Sequence, residues 1–462
     1  MTLRFNPILA TDSYKLSHAQ AYPANVTGMF SYIEARTSGR DTIVPFGLSM
    51  WIQKFLSVQV TQEDIKEATA FAAIHGEPFN AEPWQYMIQV YDGYMPVIIK
   101  AVPEGTPVPS GHVLVTIKCT DPRVFWLSSY LETAMQRGFW YPTTIASMDY
   151  SIKKEIAHFY RISGADMHML SFALHDFGAR GVSSPETAEI GGAAHLVNFR
   201  GSDTIEGIRA ANYYYKDPMA GFSVPATEHS IECAFGSSPD EEAAYISHVL
   251  NTCAKPGTTV SLVIDGYDVY RAAALLCTRF KQQIIDSGAK VVFRPDSGDM
   301  MEVVPRILEL QAAAFGYTMT AKGYKKINNV GLLQGDGVDH VSIKSLLAKI
   351  LALGYSADNV VFGSGGALLQ KVNRDTFKFA QKASAVRKDD VWVGIAKNPV
   401  TDHGKQSKAG VLTLVRSKMT GEYMTVNHFN VDEYTEVLEI AYAYGKQYNM
   451  PTLAEIRARA VI

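Results

Sequence analysis

A β/α barrel-like core, joined to a second, discontinuous α+β domain, is the fold class this sequence predicts. Three observations carry that expectation. From residue 168 onward, a short apolar run ends in a polar loop and leads into an amphipathic segment, seven times in succession. The spacing is roughly 25–40 residues, the length of one strand plus one crossover helix. The runs are apolar throughout rather than alternating, as strands covered on both faces are. Residues 1–167 and 385–462 lack this period and carry antiparallel signals, so they are expected to form one flanking domain around a barrel at 168–384.

The seven runs, in order, are MLSFALHDFGARG, AHLVNFRGSDT, GFSVPATEHS, TTVSLVIDGYD, KVVFRPDSGD, VGLLQGDGVD and NVVFGSGG. They fit a barrel or, failing that, a doubly wound sheet. Helix starts are expected at Ser183 with Glu186, Asp203 with Glu206, Ser238 with Glu241 and Asp299 with Glu302, each a capping pair. In the N-terminal third, residues 61–76 read as a capped helix stopped by Gly76, and residues 95–120 as antiparallel strands joined by Pro/Gly turns. GVLTLVRSKMTGEYMTV reads as a C-terminal hairpin.

Composition narrows the function classes. Hydrophobic residues make up 47% and charged residues 19%, enough for a core and too little charge for disorder. The net charge of -3 gives no argument for nucleic acid or an anionic membrane surface. Cys119, Cys233, Cys253 and Cys277 form no CxxC pair, which fits a reduced cytoplasmic protein. No apolar run has signal-peptide or membrane-span length. HExxH, GxSxG and Walker patterns do not occur.

Each run ends in polar residues, and both candidate architectures bind ligands at the carboxyl ends of their strands. The rim is expected to hold His175, Asp176 and Arg180; Asp203; Glu228 and His229; Asp265 and Asp268; Arg294 and Asp296; Asp336; and Ser364 to Gly366. The loops GDG (335–337) and GSGG (363–366) suit phosphate, because glycine lets backbone N–H groups approach an anion closely. Residues 371–408 hold nine basic residues against four acidic, a charge balance that fits a multiply phosphorylated substrate following directly on a phosphate loop. Arg294 and Asp296 lie on one side of an extended chain. That pairing suits a sugar phosphate, with the guanidinium on phosphate and the carboxylate on hydroxyls.

ATDSYKLSH (10–18), SYIEAR (31–36), KAVPEG (100–105), LHDFGARGVSS (174–184), NFRGSDT (198–204), VPATEHS, RPDSG, QGDGVD (334–339) and FGSGGALLQK (362–371) resemble, in order, the nicotinamide phosphoribosyltransferase family. The chain is short between Arg36 and Pro45, has Ala179 where the pattern expects tyrosine, and Thr227 where it expects alanine. The resemblance implies transfer of phosphoribose from phosphoribosyl pyrophosphate (PRPP) to nicotinamide, giving the mononucleotide and pyrophosphate, by a homodimer with shared sites. It implies that Phe177 and Tyr14 of the partner subunit sandwich the pyridine ring, that Asp203 accepts from the carboxamide, and that Arg294 lies near ring and phosphates. Asp296 and Asp336 would hold ribose hydroxyls. Gly335, Gly365, Gly366 and Arg374 would seat the 5′-phosphate. Arg36, Arg180, Lys382, Lys397 and Lys405 would face pyrophosphate, with Mg²⁺ bridging phosphate oxygens. It further implies that His229, oriented by Glu228 and Asp265, is phosphorylated by ATP. Two rival readings remain at this point: the same reaction on nicotinate, and a non-catalytic nucleotide-binding protein on the same scaffold.

Overall fold

The computed structural model describes residues 4–37, 41–399 and 406–462. The chain divides into two compact units: Met148–Ala210 with Pro218–Val372 and Ile462, and Met1–Ser147 with Ala211–Asp217 and Asn373–Val461.

Parallel strands make the first unit. In spatial order they are Gly201–Ser202, Leu174–Asp176, Val360–Ser364, Val330–Gln334, Lys290–Arg294 and Thr259–Val263. Every neighbouring pair is parallel. The sheet curls until its edges are joined by one segment. Phe222 bridges Gly201, and Ala226 bridges Ser261, both in parallel. The Phe222 N–H donates to Arg200 O at 2.8 Å and the Thr227 N–H to Ser261 O at 3.0 Å. Residues 222–226 therefore form a seventh stave. The sequence reads this stretch as an ordinary strand; it forms bridges only, because Pro225 has no N–H to give to a ladder.

The apolar runs explain the barrel. Val260, Leu262, Val291, Phe293, Leu332, Val360 and Phe362 are buried together with Ile246, Leu250, Ile307, Leu308, Ile343 and Leu347 from the surrounding helices. Helices follow the staves where capping residues start them. Ser238 and Glu241 form a capping box on Pro239–Cys253, and Asp299 caps Met300–Phe315 through the Met301 N–H. The cap of Pro185–His195 is Ser184, accepting from the Thr187 N–H, rather than Ser183. Pro185 fixes that register, since its missing N–H suits the first helical position. After the last stave, ALLQKVNRDTF gives only the short helix Gly366–Leu369 instead of a full crossover helix.

The second unit is built on an antiparallel sheet of seven strands. Its order is Val391–Gly394, Phe379–Lys388, Val26–Ala35, Val113–Cys119, Val97–Ala101, Glu439–Ala443 and Lys446–Gln447. Three N-terminal strands stand between two pairs of C-terminal strands in one sheet, which is what makes this unit discontinuous. The expected helix runs Gln62–His75, with a Thr61–Asp64 capping box and Gly76 in the left-handed region at φ 89. The expected C-terminal hairpin pairs Thr413–Ser417 with Tyr423–Val426. No helix among the described residues is long and apolar enough to cross a membrane.

Candidate active site

The residues singled out at the ends of the apolar runs stand at the carboxyl ends of the staves, whereas Arg374 and Lys382, expected within a barrel reaching residue 384, fall in the second unit. Phe177 follows Leu174–Asp176, and Arg180 lies exposed in the next turn. Asp203 follows Gly201–Ser202. Glu228 and His229 follow the seventh stave, and Asp265 follows Thr259–Val263. Arg294 ends its strand with Asp296 two residues on, while Gly335 and Asp336 follow Val330–Gln334. Gly365 and Gly366 follow Val360–Ser364.

The aromatic position is made by glycine. A Cβ on Gly363 would stand 2.1 Å from the Phe177 ring, so only a bare backbone lets the ring lie there. The Phe177 N–H donates to Ser364 O at 2.9 Å, and Asp176 Oδ1 accepts the Gly178 N–H at 2.8 Å. Asp176 is thus turned inward to hold the loop, and its backbone oxygen also accepts the Asp203 N–H at 2.9 Å. His175 is likewise taken into the structure, where burial pushes its imidazole down to about 4. Beneath them His195 is fully buried, with Nδ1 2.8 Å from Asp149 Oδ2 and Nε2 3.0 Å from Gly201 O. Burial alone would lower the His195 imidazole, but the Asp149 carboxylate outweighs it and the net shift is upward. A doubly protonated ring satisfies both acceptors. Asp203 itself is exposed and accepts from the hydroxyl of Ser223, a partner 20 residues away with no local signature.

At the next staves, His229 Nε2 and Asp265 Oδ1 are 3.0 Å apart. The His229 side chain is 47% exposed and that of Asp265 only 2%. Among the described residues His229 Nδ1 has no hydrogen-bond partner, so it is the nitrogen available to solvent. Glu228 does not orient the imidazole in this structure: its carboxylate accepts from Ser230 Oγ. Thr227 fills its departure from the family pattern with bonds. Its Oγ1 accepts the Val263 N–H at 2.9 Å and lies 2.6 Å from the Tyr245 hydroxyl, which donates to Val263 O. The Thr227 carbonyl accepts from Arg294 Nη2 at 2.6 Å. Among the described residues Arg294 Nε is buried without a hydrogen-bond partner, and its ion pair with Asp296 Oδ2 is long, at 3.9 Å. Burial holds the Asp296 carboxyl above its ordinary range; Arg294 pulls it back, while Asp265 and Asp336 push it further up. Gly335 leaves room for it, since a Cβ there would stand 2.2 Å from Asp296 Oδ1 and push the carboxylate aside.

The second unit gathers cations. Strand pairing puts Ala35 opposite Phe379 and Tyr32 opposite Lys382, and the Arg36 N–H donates to Phe377 O. Burial lowers the Lys382 ammonium; Glu132 opposes this, and the charges of Arg36, Arg374 and Lys397 lower it further. Arg36 Nε bonds Glu34 at 2.8 Å, but its Nη2 is buried with no partner among the described residues. Four like charges and an unsatisfied guanidinium N–H are arranged for an anion. Tyr14 is 53% exposed and packs beside His18. Lys405 lies outside the described residues. Among the described residues no group of three His, Cys, Asp or Glu is placed to hold a metal ion.

The nicotinate phosphoribosyltransferase (NAPRTase) family pattern matches residues 172–439, and the nicotinamide phosphoribosyltransferase N-terminal domain matches residues 6–99. The nicotinamide phosphoribosyltransferase of Xanthomonas campestris is 44% identical over 98% of this chain and 98% of its own. That of Acinetobacter baylyi is 32% identical over 99% and 98%. Among solved structures, the nicotinate-nucleotide pyrophosphorylase of Pyrococcus furiosus superposes with a TM-score of 0.63 at 15% identity, covering 99% of this chain and 95% of that one. Human nicotinic acid phosphoribosyltransferase gives 0.58 at 17%, covering 98% and 93%. At such identities these two structures speak for the fold alone. The chain belongs to the nicotinate phosphoribosyltransferase (NAPRTase) family and, within it, to the nicotinamide phosphoribosyltransferases.

Proposed function

We propose that the protein makes nicotinamide mononucleotide and pyrophosphate from nicotinamide and PRPP, and couples this to ATP hydrolysis through a phosphohistidine at His229. In this reading the pyridine ring lies on Phe177 and its carboxamide N–H donates to Asp203. A carboxylate there accepts from an amide and repels the anion of nicotinate, which favours nicotinamide. Asp296 and Asp336 accept from the ribose hydroxyls. The N–H groups of Gly335, Gly365 and Gly366 meet the 5′-phosphate, with Arg374 as its cationic partner. Arg36, Arg180, Lys382, Lys397 and Lys405 take the charge of departing pyrophosphate, which is greatest as the ribosyl–oxygen bond breaks. The active form is a homodimer, in which Tyr14 of the partner subunit covers the other face of the ring.

Magnesium enters with PRPP in this account. Phosphate oxygens would be its main ligands, since no trio of carboxylates among the described residues is placed to hold it. Bound to them, the ion would neutralise charge on the diphosphate.

The observation that carries the ATP step is the His229–Asp265 pair, with Nε2 engaged and Nδ1 open. Neutral imidazole is a nucleophile near neutral pH, and a carboxylate on the far nitrogen fixes its tautomer. Nδ1 forms the bond to the γ-phosphorus, ADP leaves with the electrons of the broken P–O bond, and the proton stays on Nε2, donated in a hydrogen bond to Asp265. Water later cleaves the N–P bond and releases phosphate. The test is incubation with γ-labelled ATP. Wild type acquires acid-labile, base-stable label and His229→Ala acquires none. A His229→Ala protein that still hydrolyses ATP in step with mononucleotide formation contradicts the phosphohistidine.

A further inference from the structure

Glu232 lies three residues beyond His229 on the helix His229–Phe235, and it turns inward: the residue is 1% exposed. Its Oε2 accepts the Gly266 N–H at 3.0 Å. Its Oε1 is buried with no hydrogen-bond partner among the described residues. Gly266 directly follows Asp265, the residue that meets His229 Nε2. A Cβ at position 266 would stand 2.5 Å from Glu232 Oε2, so the turn and the carboxyl are fitted to one another. A buried carboxyl with one oxygen unsatisfied is destabilising, and packing gives no reason to keep it.

We propose that Glu232 is a positioning residue for the phosphoryl step at His229: it fixes the Asp265–Gly266 turn through the Gly266 N–H, and its charge answers the cationic ring. This rests on the ATP-coupled reading above. When Nδ1 of the neutral ring bonds to phosphorus, the ring gains a positive charge that a single carboxylate, Asp265, would otherwise face alone.

The groups facing Glu232 are His229 on its own helix, Asp265 and Tyr267 in the turn after Thr259–Val263, and Glu242 and Tyr245 on Pro239–Cys253. Arg271 stands one step away, paired to Glu242 at 2.7 Å. Burial pushes the Glu232 carboxyl up to about 7; the Gly266 N–H and His229 pull it down, while Asp265 and Glu242 push it up. Glu232 therefore gains its charge as pH rises through about 7. Below that, it is neutral and differs little from glutamine. Above it, the ionised form favours the charged ring.

Two variants separate the two roles. Glu232→Gln keeps an oxygen for the Gly266 N–H and loses the titration; Glu232→Ala loses both. The rate of labelling from γ-labelled ATP is measured at pH 6 and pH 8. Glu232→Gln labels like wild type at pH 6 and about 3- to 10-fold more slowly at pH 8, the scale of one partly screened neighbouring charge. Glu232→Ala labels about 10-fold more slowly or worse at both, because the carboxylate facing His229 is no longer held in place. A second readout needs no ATP. In an NMR titration of labelled histidine, the His229 signal of Glu232→Gln moves to lower pH than that of wild type, because a neighbouring carboxylate is gone. Unchanged labelling of both variants at both pH values, with an unmoved His229 titration, overturns the proposal. If wild type takes no label, the ATP reading fails by itself, and the titration still decides whether Glu232 acts on His229.

Discussion

The aromatic floor proposed for the nicotinamide site, Phe177, stands on one missing methyl group. Gly363→Ala places a Cβ 2.1 Å from Phe177 Cε2 and 2.4 Å from Cδ2. Carbon atoms in contact rest about 3.5–4.0 Å apart, so the ring must retreat by about 1.4 Å or more. The Phe177 main chain does not follow, because its N–H is held by Ser364 O at 2.9 Å. The side chain therefore rotates out of its place. A ring pair is worth about 0.5–1.5 kcal/mol, so nicotinamide KM is expected to rise by roughly 2- to 13-fold. A reacting nitrogen misplaced by about 1 Å costs up to ~10²-fold in kcat. The KM for PRPP should hold. The assay is steady-state mononucleotide synthesis with each substrate varied, in wild type, Gly363→Ala, Phe177→Ala and the double variant. With the phenylalanine gone there is nothing to displace, so Gly363→Ala should add almost nothing in that background. Additive effects in this cycle, or a Gly363→Ala enzyme with wild-type nicotinamide kinetics, refute the reasoning.

Asp203→Asn should narrow the preference for nicotinamide over nicotinate by ~10-fold or more, since the new amide donates to a carboxylate and no longer repels it; paired kcat/KM values check this. Thr227→Val leaves the Val263 N–H unpaired inside the network with Tyr245, and should cost about 1–3 kcal/mol in a denaturant titration. Burial pushes the Glu104 carboxyl up to about 7, with the Ser49 N–H pulling it down. The folded state thus holds this proton between the usual carboxylate range and about 7, and stability falls as pH rises across that window. Glu104→Gln removes the loss, so its melting temperature relative to wild type should climb between pH 4.5 and pH 7.5 and level off above; a constant difference contradicts the assignment.

The barrel was legible because its strands are covered on both faces, which leaves apolar runs such as VVFR and VGLLQ between polar ends. That same regularity located the rim, since every run stops where its loop begins. The seventh stave was legible only in outline. Val224 suggested a strand, but Pro225 limits the segment to bridges at Phe222 and Ala226. Ser183 and Ser184 are equivalent as caps in a string of letters, and Pro185 decides between them in three dimensions. Glu232 and the His195–Asp149 pair were missed for a different reason. A glutamate in the first turn of a helix reads as a dipole partner, and a histidine 46 residues from its aspartate has no local signature. Glu228 was the converse case, a sequence neighbour of His229 whose carboxylate bonds Ser230 instead.

The most direct test of the account is steady-state turnover of the purified protein with PRPP and Mg²⁺, offered nicotinamide or nicotinate, with and without ATP. The account predicts nicotinamide mononucleotide and pyrophosphate in equal amounts, a higher kcat/KM for nicotinamide than for nicotinate, and a lower KM for PRPP when ATP is present. Equal or better use of nicotinate contradicts the reading of Asp203 and, with it, the assignment of the barrel rim to nicotinamide.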